Sequence, residues 1–122
     1  MPEGTAIAVT QKAAEKAAAL LKGDDDVVTY TSYVGAGAPR FFFSLNPALP
    51  NPAFALTVIM TKSPEARERL KTKLERAVAD GAVPQARIRI DRLNFGPPVG
   101  FPVQFRVIGP DPLRVREIAG QV

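Results

Sequence analysis

The sequence contains no cysteine and no histidine. Without cysteine the chain has no disulfide framework and no thiol nucleophile. Without histidine it lacks the usual general base near neutral pH and the commonest metal ligand. The carboxylates form no pattern typical of a catalytic pair. The sequence therefore predicts a protein that is not an enzyme and that needs no metal or other cofactor.

Long apolar runs are also missing, since no stretch approaches the roughly 20 residues of a membrane-spanning helix. The N-terminus lacks the basic region and cleavage motif of a signal peptide. A length of 122 residues, with 46% hydrophobic and 23% charged residues, is instead typical of one folded domain. The formal net charge is +4, but the arginines and lysines are spread along the chain. The basic balance alone therefore does not indicate a nucleic-acid surface.

Helical periodicity and capping residues predict three helices. Thr5 can cap the first helix, which continues to about Lys22. Ser63-Pro64 begins the second, which continues to about Asp80, and Asp111-Pro112 begins the last. The apolar stripe of the first helix is Ala6, Val9, Ala13, Ala17, Leu20 and Leu21; that of the second is Ala66, Leu70, Leu74, Ala77 and Val78, with Glu65 and Arg69 as an ion pair.

Residues of high β propensity predict strands at 27–34, 40–46, 54–61, 86–94 and 103–108. Together with the helices they give the order α-β-β(-β)-α-β-β-α. The predicted fold class is α+β, a ferredoxin-like (split βαβ) two-layer sandwich with helices on a mostly antiparallel sheet and without its first strand. We expect the vacant edge to be filled by the strand at 103–108 or by a strand from a second copy, because an open edge invites pairing.

Two short charged segments have simple interpretations. Asp24-Asp-Asp26 lacks the ligand spacing of a calcium loop, so it predicts a solvated turn. Asp91, between Arg89 and Arg92, predicts surface ion pairing.

Two loops combine glycine, proline and aromatic residues in a way that is costly unless the loop shapes a surface. The first is Gly35-Ala-Gly-Ala-Pro-Arg-Phe-Phe-Phe-Ser-Leu-Asn-Pro-Ala-Leu-Pro-Asn-Pro52, and the second is Phe95-Gly-Pro-Pro-Val-Gly-Phe-Pro102. Gly35 and Gly37 could cradle a phosphate, but no helix start and no P-loop lysine follow them. Of Phe41, Phe42 and Phe43, alternation along a strand would direct Phe41 and Phe43 to the core and Phe42 to the other side.

The order of these residues resembles the periplasmic porter region of resistance–nodulation–division (RND) efflux transporters. The likeness also covers Pro2-Glu-Gly-Thr5, Tyr33-Val-Gly35 and Val103-Gln-Phe-Arg-Val-Ile-Gly-Pro-Asp-Pro112, and so spans nearly the whole chain. It implies that residues 1–96 are one porter subdomain and that residues 97–122 are a linker with the first strand and helix of the next. It further implies that the chain is a piece of a larger membrane protein.

The resemblance implies a function for the two loops. Gly35 and Gly37 would belong to a switch loop that changes conformation between two substrate pockets. Candidate residues of the substrate path are Tyr33, Gly35, Gly37, Arg40, Phe42, Phe95 and Phe101.

The whole protein would be a proton-driven antiporter in the inner membrane of a Gram-negative bacterium, exporting hydrophobic or amphiphilic compounds. It would be a homotrimer that works with a periplasmic adaptor and an outer-membrane channel, and this chain would lie in the periplasm.

Three alternatives remain. An RND exporter of copper or silver would be expected to carry methionine clusters, but Met60 is the single interior methionine. A nucleic-acid-binding ferredoxin-like domain would fit the basic charge, but Arg40-Phe-Phe-Phe-Ser-Leu does not match the core motif of an RNA-recognition module. No specific residue indicates the third alternative, a small regulatory ligand-binding domain of an enzyme.

Overall fold

Two helices and a β-hairpin form the main body of the chain. The computed structural model describes residues 1–41, 45–93 and 105–121. Their regular elements, in chain order, are α1 (Ile7–Ala19), β1 (Val27–Val34), β2 (Ala55–Thr61), α2 (Pro64–Ala79) and α3 (Pro112–Ala119). The protein is therefore an α+β domain whose described part has a two-stranded antiparallel sheet and three helices.

The register of the hairpin divides its side chains between two faces. Tyr30 pairs with Ile59 and Tyr33 with Leu56, while Val28 is an extra residue at an irregularity between Val27 and Thr29. Cross-strand partners lie on the same side of a sheet, and successive residues alternate. Tyr30 and Ile59 therefore share one face, and Tyr33 and Leu56 share the opposite face.

The core lies between the helices and the face that carries Ile59. Leu21, just after α1, forms a buried cluster with Leu70 and Leu74 of α2. The side chains packed against this cluster are Leu20, Val27, Ile59 and Ile90. Both helices therefore cover the same side of the sheet. We name the opposite side, which carries Tyr33, Leu56, Val58 and Met60, the outer face.

The first predicted helix is present, but it begins at a different residue, and buries a different set of side chains, from those predicted. Thr5 is not the cap: its hydroxyl donates to the Pro2 carbonyl at 2.6 Å, and the helix begins after Ala6 without a side-chain cap. The fully buried residues of α1 are Thr10, Ala13 and Ala14, whereas Val9 is 48% exposed. The interface remains one of small side chains, which lets α1 lie close to the sheet.

The starts of the other two helices confirm the sequence prediction. The Ser63 hydroxyl accepts a hydrogen bond from the Ala66 amide, and Pro64 occupies the first turn. The Asp111 carboxylate accepts from the Leu113 and Arg114 amides in the same way. Both caps satisfy amides that have no partner within the helix.

Strand 27–34 is confirmed, and the strand predicted at 54–61 begins one residue later. The other three predicted strands are wrong for the residues that the structure describes: 40–41, 45–46, 86–93 and 105–108 belong to no ladder. Alternation persists at one of them, because Ile88 and Ile90 are half-buried while Asp91 is exposed. These segments have strand-like sequences, but no strand among the described residues forms a ladder with them, and a strand needs a partner to form.

Candidate functional site

Backbone hydrogen bonds close the neck of the loop that connects β1 to β2. The Gly35 amide donates to the Phe54 carbonyl at 2.8 Å, and the Asn51 amide donates to the Gly35 carbonyl at 2.9 Å. Further out, the Gly37 amide donates to the Ala48 carbonyl at 3.3 Å. Backbone hydrogen bonds therefore hold the two ends of the loop together where it leaves the sheet.

The two predicted switch-loop glycines lie in this neck, and each has a steric reason to be glycine. Gly35 has a φ of +80°, and a Cβ there would lie 2.7 Å from the Cδ1 atom of Ile7. A Cβ on Gly37 would overlap the backbone nitrogen of Ala48. Glycine is thus required for close approach at Gly37 and for the backbone conformation at Gly35. In this structure both residues keep the neck closed.

The tip of the loop carries the predicted cation. The Arg40 side chain is exposed, and its Nε atom donates to the Leu45 carbonyl at 3.2 Å across the tip. Phe41 is 54% exposed, so the expectation that it packs in the core is wrong. The reason is that no strand forms at 40–41 to direct the ring inward. Leu49 is 84% exposed, and it was not among the residues singled out from the sequence.

Tyr33 lies on the outer face, close to the base of the loop. Its cross-strand partner is Leu56, and alternation places Val58 and Met60 on the same side. Met60 is 60% exposed, while Tyr33, Leu56 and Val58 are half-buried. Leu56, Val58 and Met60 were not among the site residues predicted from the sequence. The sequence indicates this face, because the three apolar residues occupy alternate positions of β2.

The described candidates Tyr33, Gly35, Gly37 and Arg40 lie along one stretch from the outer face to the loop tip. The structure therefore brings a tyrosine ring, an apolar sheet face and an exposed loop next to each other. The candidates Phe42, Phe95 and Phe101 lie outside the described residues, as does the predicted boundary between residues 96 and 97.

The acidic turn before β1 is tied to α2. Arg69 donates from Nε to Asp26 Oδ2 at 3.0 Å, and Lys73 donates to Asp24 Oδ2 at 2.5 Å. These hydrogen bonds are the main reason that the pKa of each of the two carboxyls lies below its usual value. The turn that was predicted to be solvated is therefore joined to α2 by two salt bridges. The sequence predicts an ion pair between Arg69 and Glu65, but the salt bridge of Arg69 is with Asp26.

The ion pair predicted around Asp91 is confirmed, because Arg89 contacts it at 2.6 Å. The backbone amide of Arg92 also donates to Asp91, and this is the main cause of a lowered pKa for that carboxyl. Asp91 is exposed, so this arrangement is a surface ion pair with little effect on stability.

The described residues contain no group of three or more histidine, cysteine, aspartate or glutamate side chains placed to hold a metal ion. Among the same residues, the helices are too short or too polar to cross a bilayer.

Comparison with known proteins gives no match: no protein-family model, no curated protein and no solved structure is similar to this chain.

Proposed function

We propose that this chain forms part of the periplasmic porter of an RND efflux pump that exports hydrophobic or amphiphilic compounds. The proposal starts from the resemblance in sequence, which runs from Pro2-Glu-Gly-Thr5 to the segment that ends at Pro112. The geometry of the described residues supports it at two places, the outer face of the sheet and the loop above it.

The observation that carries the proposal is the apolar half of the outer face, formed by β2 beside Tyr33; the β1 half also carries Thr29 and Thr31. Leu56, Val58 and Met60 line one side of β2, and Met60 remains 60% exposed. Aliphatic and aromatic side chains give broad contact with weak directionality, which suits a wall that meets many different apolar compounds. A wall of this kind needs no catalytic residue, and its cargo need only be partly apolar.

The loop between β1 and β2 would stand at the edge of this wall. Its neck is closed at Gly35 and Gly37, its tip exposes Arg40 and Phe41, and Leu49 is exposed on the neck. A cation next to exposed apolar side chains fits amphiphiles that carry an anionic or aromatic group. On this proposal the tip contacts the cargo and the closed neck keeps the tip in position.

We propose a ferredoxin-like subdomain in which α1 and α2 cover one side of a sheet that is wider than the hairpin. The common core of Leu21, Leu70 and Leu74 supports it, because both helices pack on one face. The segment at Ile90, which packs on that core, would be an additional strand of the complete sheet.

The assembly proposed for the whole protein follows the resemblance. The complete pump would be a trimer in the inner membrane of a Gram-negative bacterium, coupled to proton flow. It would work with a periplasmic adaptor and an outer-membrane channel, with this chain on the periplasmic side.

The first test is to read the genomic DNA on both sides of the coding segment. The proposal expects an open reading frame that continues for several hundred codons, with groups of apolar spans of roughly 20 residues. A frame that begins at Met1 and stops near Val122 would contradict it for this chain.

The second test measures transport by the protein that this reading frame encodes. It is expressed in a host without its own multidrug pumps, and accumulation of a fluorescent hydrophobic dye is followed with and without a proton gradient. We expect expression to lower dye accumulation only when the gradient is present. For some dyes we expect Phe41→Ala to reduce this gradient-dependent export several-fold, because the substitution removes an aromatic ring from the loop tip.

Gln11→Ala is the matched control. Gln11 is exposed on α1, where its side chain donates to Glu15, far in sequence from the loop. If the Gln11→Ala and Phe41→Ala proteins transported the dye equally, the loop tip would not be a contact for the cargo. Dye accumulation that does not respond to the gradient would contradict proton-driven export.

A further inference from the structure

Met60 lies on the outer face of the hairpin with more than half of its surface open to solvent. Its side chain is 60% exposed, and its cross-strand partner is Thr29. Leu56 and Val58, which precede it at alternate positions of β2, are half-buried. Met60 is thus the most exposed side chain of the apolar half of this face.

No thiol competes with the Met60 thioether for an oxidant. The chain contains no cysteine, and Met1 and Met60 are its two methionines. Met1 is half-buried, whereas Met60 is exposed. Peroxides convert an accessible methionine thioether to the sulfoxide. Met60 is therefore the sulfur-containing side chain that is more open to attack by a peroxide.

A hydroxyl group lies across the strand from Met60. Paired residues of an antiparallel ladder have Cβ atoms about 4.5–5.5 Å apart, so the Thr29 hydroxyl is within reach of the flexible methionine side chain. Thr29 is exposed, and its hydroxyl makes no hydrogen bond with another described residue. On the opposite face, by contrast, the hydroxyls of Ser32 and Thr57 bond to each other at 2.8 Å. The Thr29 hydroxyl can thus donate to a new acceptor at Met60.

We propose that Met60 is a reversible oxidation site, at which a peroxide converts the thioether to a sulfoxide that accepts a hydrogen bond from Thr29. A sulfur lone pair attacks one oxygen of hydrogen peroxide, so that an S–O bond forms and the O–O bond breaks. The other oxygen leaves as hydroxide and takes a proton to become water. The sulfur is oxidised and the peroxide is reduced. Methionine sulfoxide reductases reverse the change.

Oxidation changes the chemistry of the outer face. The thioether is apolar, whereas the sulfoxide is polar, and it would stand beside Val58 on β2. The hydrogen bond from Thr29 gives the new oxygen a donor on the protein. The oxidised face would therefore make weaker contacts with apolar compounds. The oxidation itself does not depend on the proposed transport function, so each can fail without the other.

The first experiment treats the folded 122-residue chain with hydrogen peroxide. Proteolysis and mass spectrometry follow the gain of about 16 Da, one oxygen atom, in the peptide that contains Met60. We expect Met60 to react within about threefold of its rate in the urea-unfolded chain, because the fold leaves it exposed. Methionine sulfoxide reductases should return the peptide to its original mass.

The matched control moves the methionine into the core. In the double variant Met60→Leu/Leu70→Met the thioether occupies a site that is 4% exposed. Exchanges between leucine and methionine usually preserve a core, and circular dichroism checks that the helix content is kept. The buried methionine should react at least about tenfold more slowly than Met60. Equal rates at the two sites, or protection of Met60 by about tenfold or more in the folded parent, would overturn the proposal.

The second experiment tests the hydrogen bond from Thr29. Thr29→Val keeps the β-branched shape and removes the hydroxyl. Oxidation should lower the urea midpoint of this variant more than that of the parent, because the sulfoxide oxygen then lacks its donor. Met60→Leu, alone and together with Thr29→Val, is the control, and peroxide should leave both midpoints unchanged.

Two outcomes of the second experiment would contradict the proposed site. Equal shifts on oxidation in the parent and in Thr29→Val would show that the Thr29 hydroxyl does not bind the sulfoxide. A shift of the same size in Met60→Leu as in the parent would assign the effect of peroxide to another group, such as Met1.

Discussion

Gly37 and Ala48 hold the two sides of the β1–β2 loop together at a distance that leaves no room for a side chain on Gly37. The Gly37 amide donates to the Ala48 carbonyl at 3.3 Å. A Cβ atom on Gly37 would lie 3.1 Å from the Cβ of Ala48 and would overlap its backbone nitrogen. The glycine-containing loop is therefore closed where its sequence would allow it to be most mobile.

Replacing Gly37 with alanine should open this neck. We expect Gly37→Ala to lower the free energy of unfolding by about 1–3 kcal/mol, the usual cost of forcing an extra group into a packed site. Urea denaturation gives this value. Hydrogen exchange at the Gly35 and Asn51 amides, which bond across the neck, should become faster.

Gly120→Ala is the control for this prediction. Gly120 has a helical φ of −77°, and a Cβ there would have its nearest contact at 3.4 Å, with the Glu117 carbonyl. Its effect should stay within about 0.5 kcal/mol. If the two substitutions changed stability equally, the contact between Gly37 and Ala48 would not be what closes the loop.

The hydroxyl groups of Ser63 and Thr5 should differ in their importance for stability. Ser63 accepts from the Ala66 amide at the start of α2, at 3.1 Å, so Ser63→Ala should cost about 1 kcal/mol. Thr5 caps no helix and instead donates to Pro2, so Thr5→Ala should cost less than about 0.5 kcal/mol. Thermal unfolding of the two variants measures these costs. A greater loss of stability in Thr5→Ala than in Ser63→Ala would indicate that Thr5 caps α1.

These two residues show how far capping can be predicted from sequence. Ser63-Pro64 and Asp111-Pro112 are correct because the capping side chain and the proline act within one turn. Thr5 misleads because the helix begins one residue later than its pattern suggests, with Ala6 at the cap position, and the Thr5 hydroxyl instead donates to the Pro2 carbonyl.

The strands and the loop depend on contacts between distant residues. Ile88 and Ile90 have the burial alternation that the sequence predicts, but in the described part of the chain they belong to no sheet. A ladder needs a partner, and local sequence does not reveal whether one is within reach. The role of Gly37 depends in the same way on Ala48. The sequence indicates which loop is unusual, but the closed neck follows from the fold.

Stability should fall at acid pH because of the turn at Asp24 and Asp26. Hydrogen bonds from Lys73 and Arg69 lower the pKa of these carboxyls below the ordinary value of 3.8. A lowered folded-state pKa contributes stability that is present above the unfolded pKa and is lost as pH falls through the folded pKa. The free energy of unfolding should therefore decrease below about pH 4.

Asp26→Asn tests this assignment. The variant should be less stable than the parent at neutral pH, and the two should converge at strongly acid pH, where the parent carboxyl is also uncharged. The difference should shrink in high salt because Arg69 is largely exposed. Asp25→Asn is the control, since Asp25 forms no ion pair with any described residue. Matching acid profiles for Asp26→Asn and the parent would contradict the assignment.

The buried hydroxyl of Thr10 should destabilise the interface between α1 and the sheet. Thr10 is 1% exposed, and its Oγ1 atom has no hydrogen-bond partner among the described residues. Leaving a buried polar group unpaired costs about 1–3 kcal/mol. Valine has nearly the same shape and a similar helix propensity. We therefore expect Thr10→Val to raise the free energy of unfolding by about 1 kcal/mol in urea denaturation.

Thr10→Ser separates the hydroxyl from the methyl group. Serine keeps the unpaired oxygen and removes one buried methyl, so this variant should lose about 1 kcal/mol. The two substitutions at Thr10 should thus change stability in opposite directions. A loss of stability in Thr10→Val would mean that the hydroxyl has a partner in solution, such as a buried water or the Ala6 carbonyl one turn earlier.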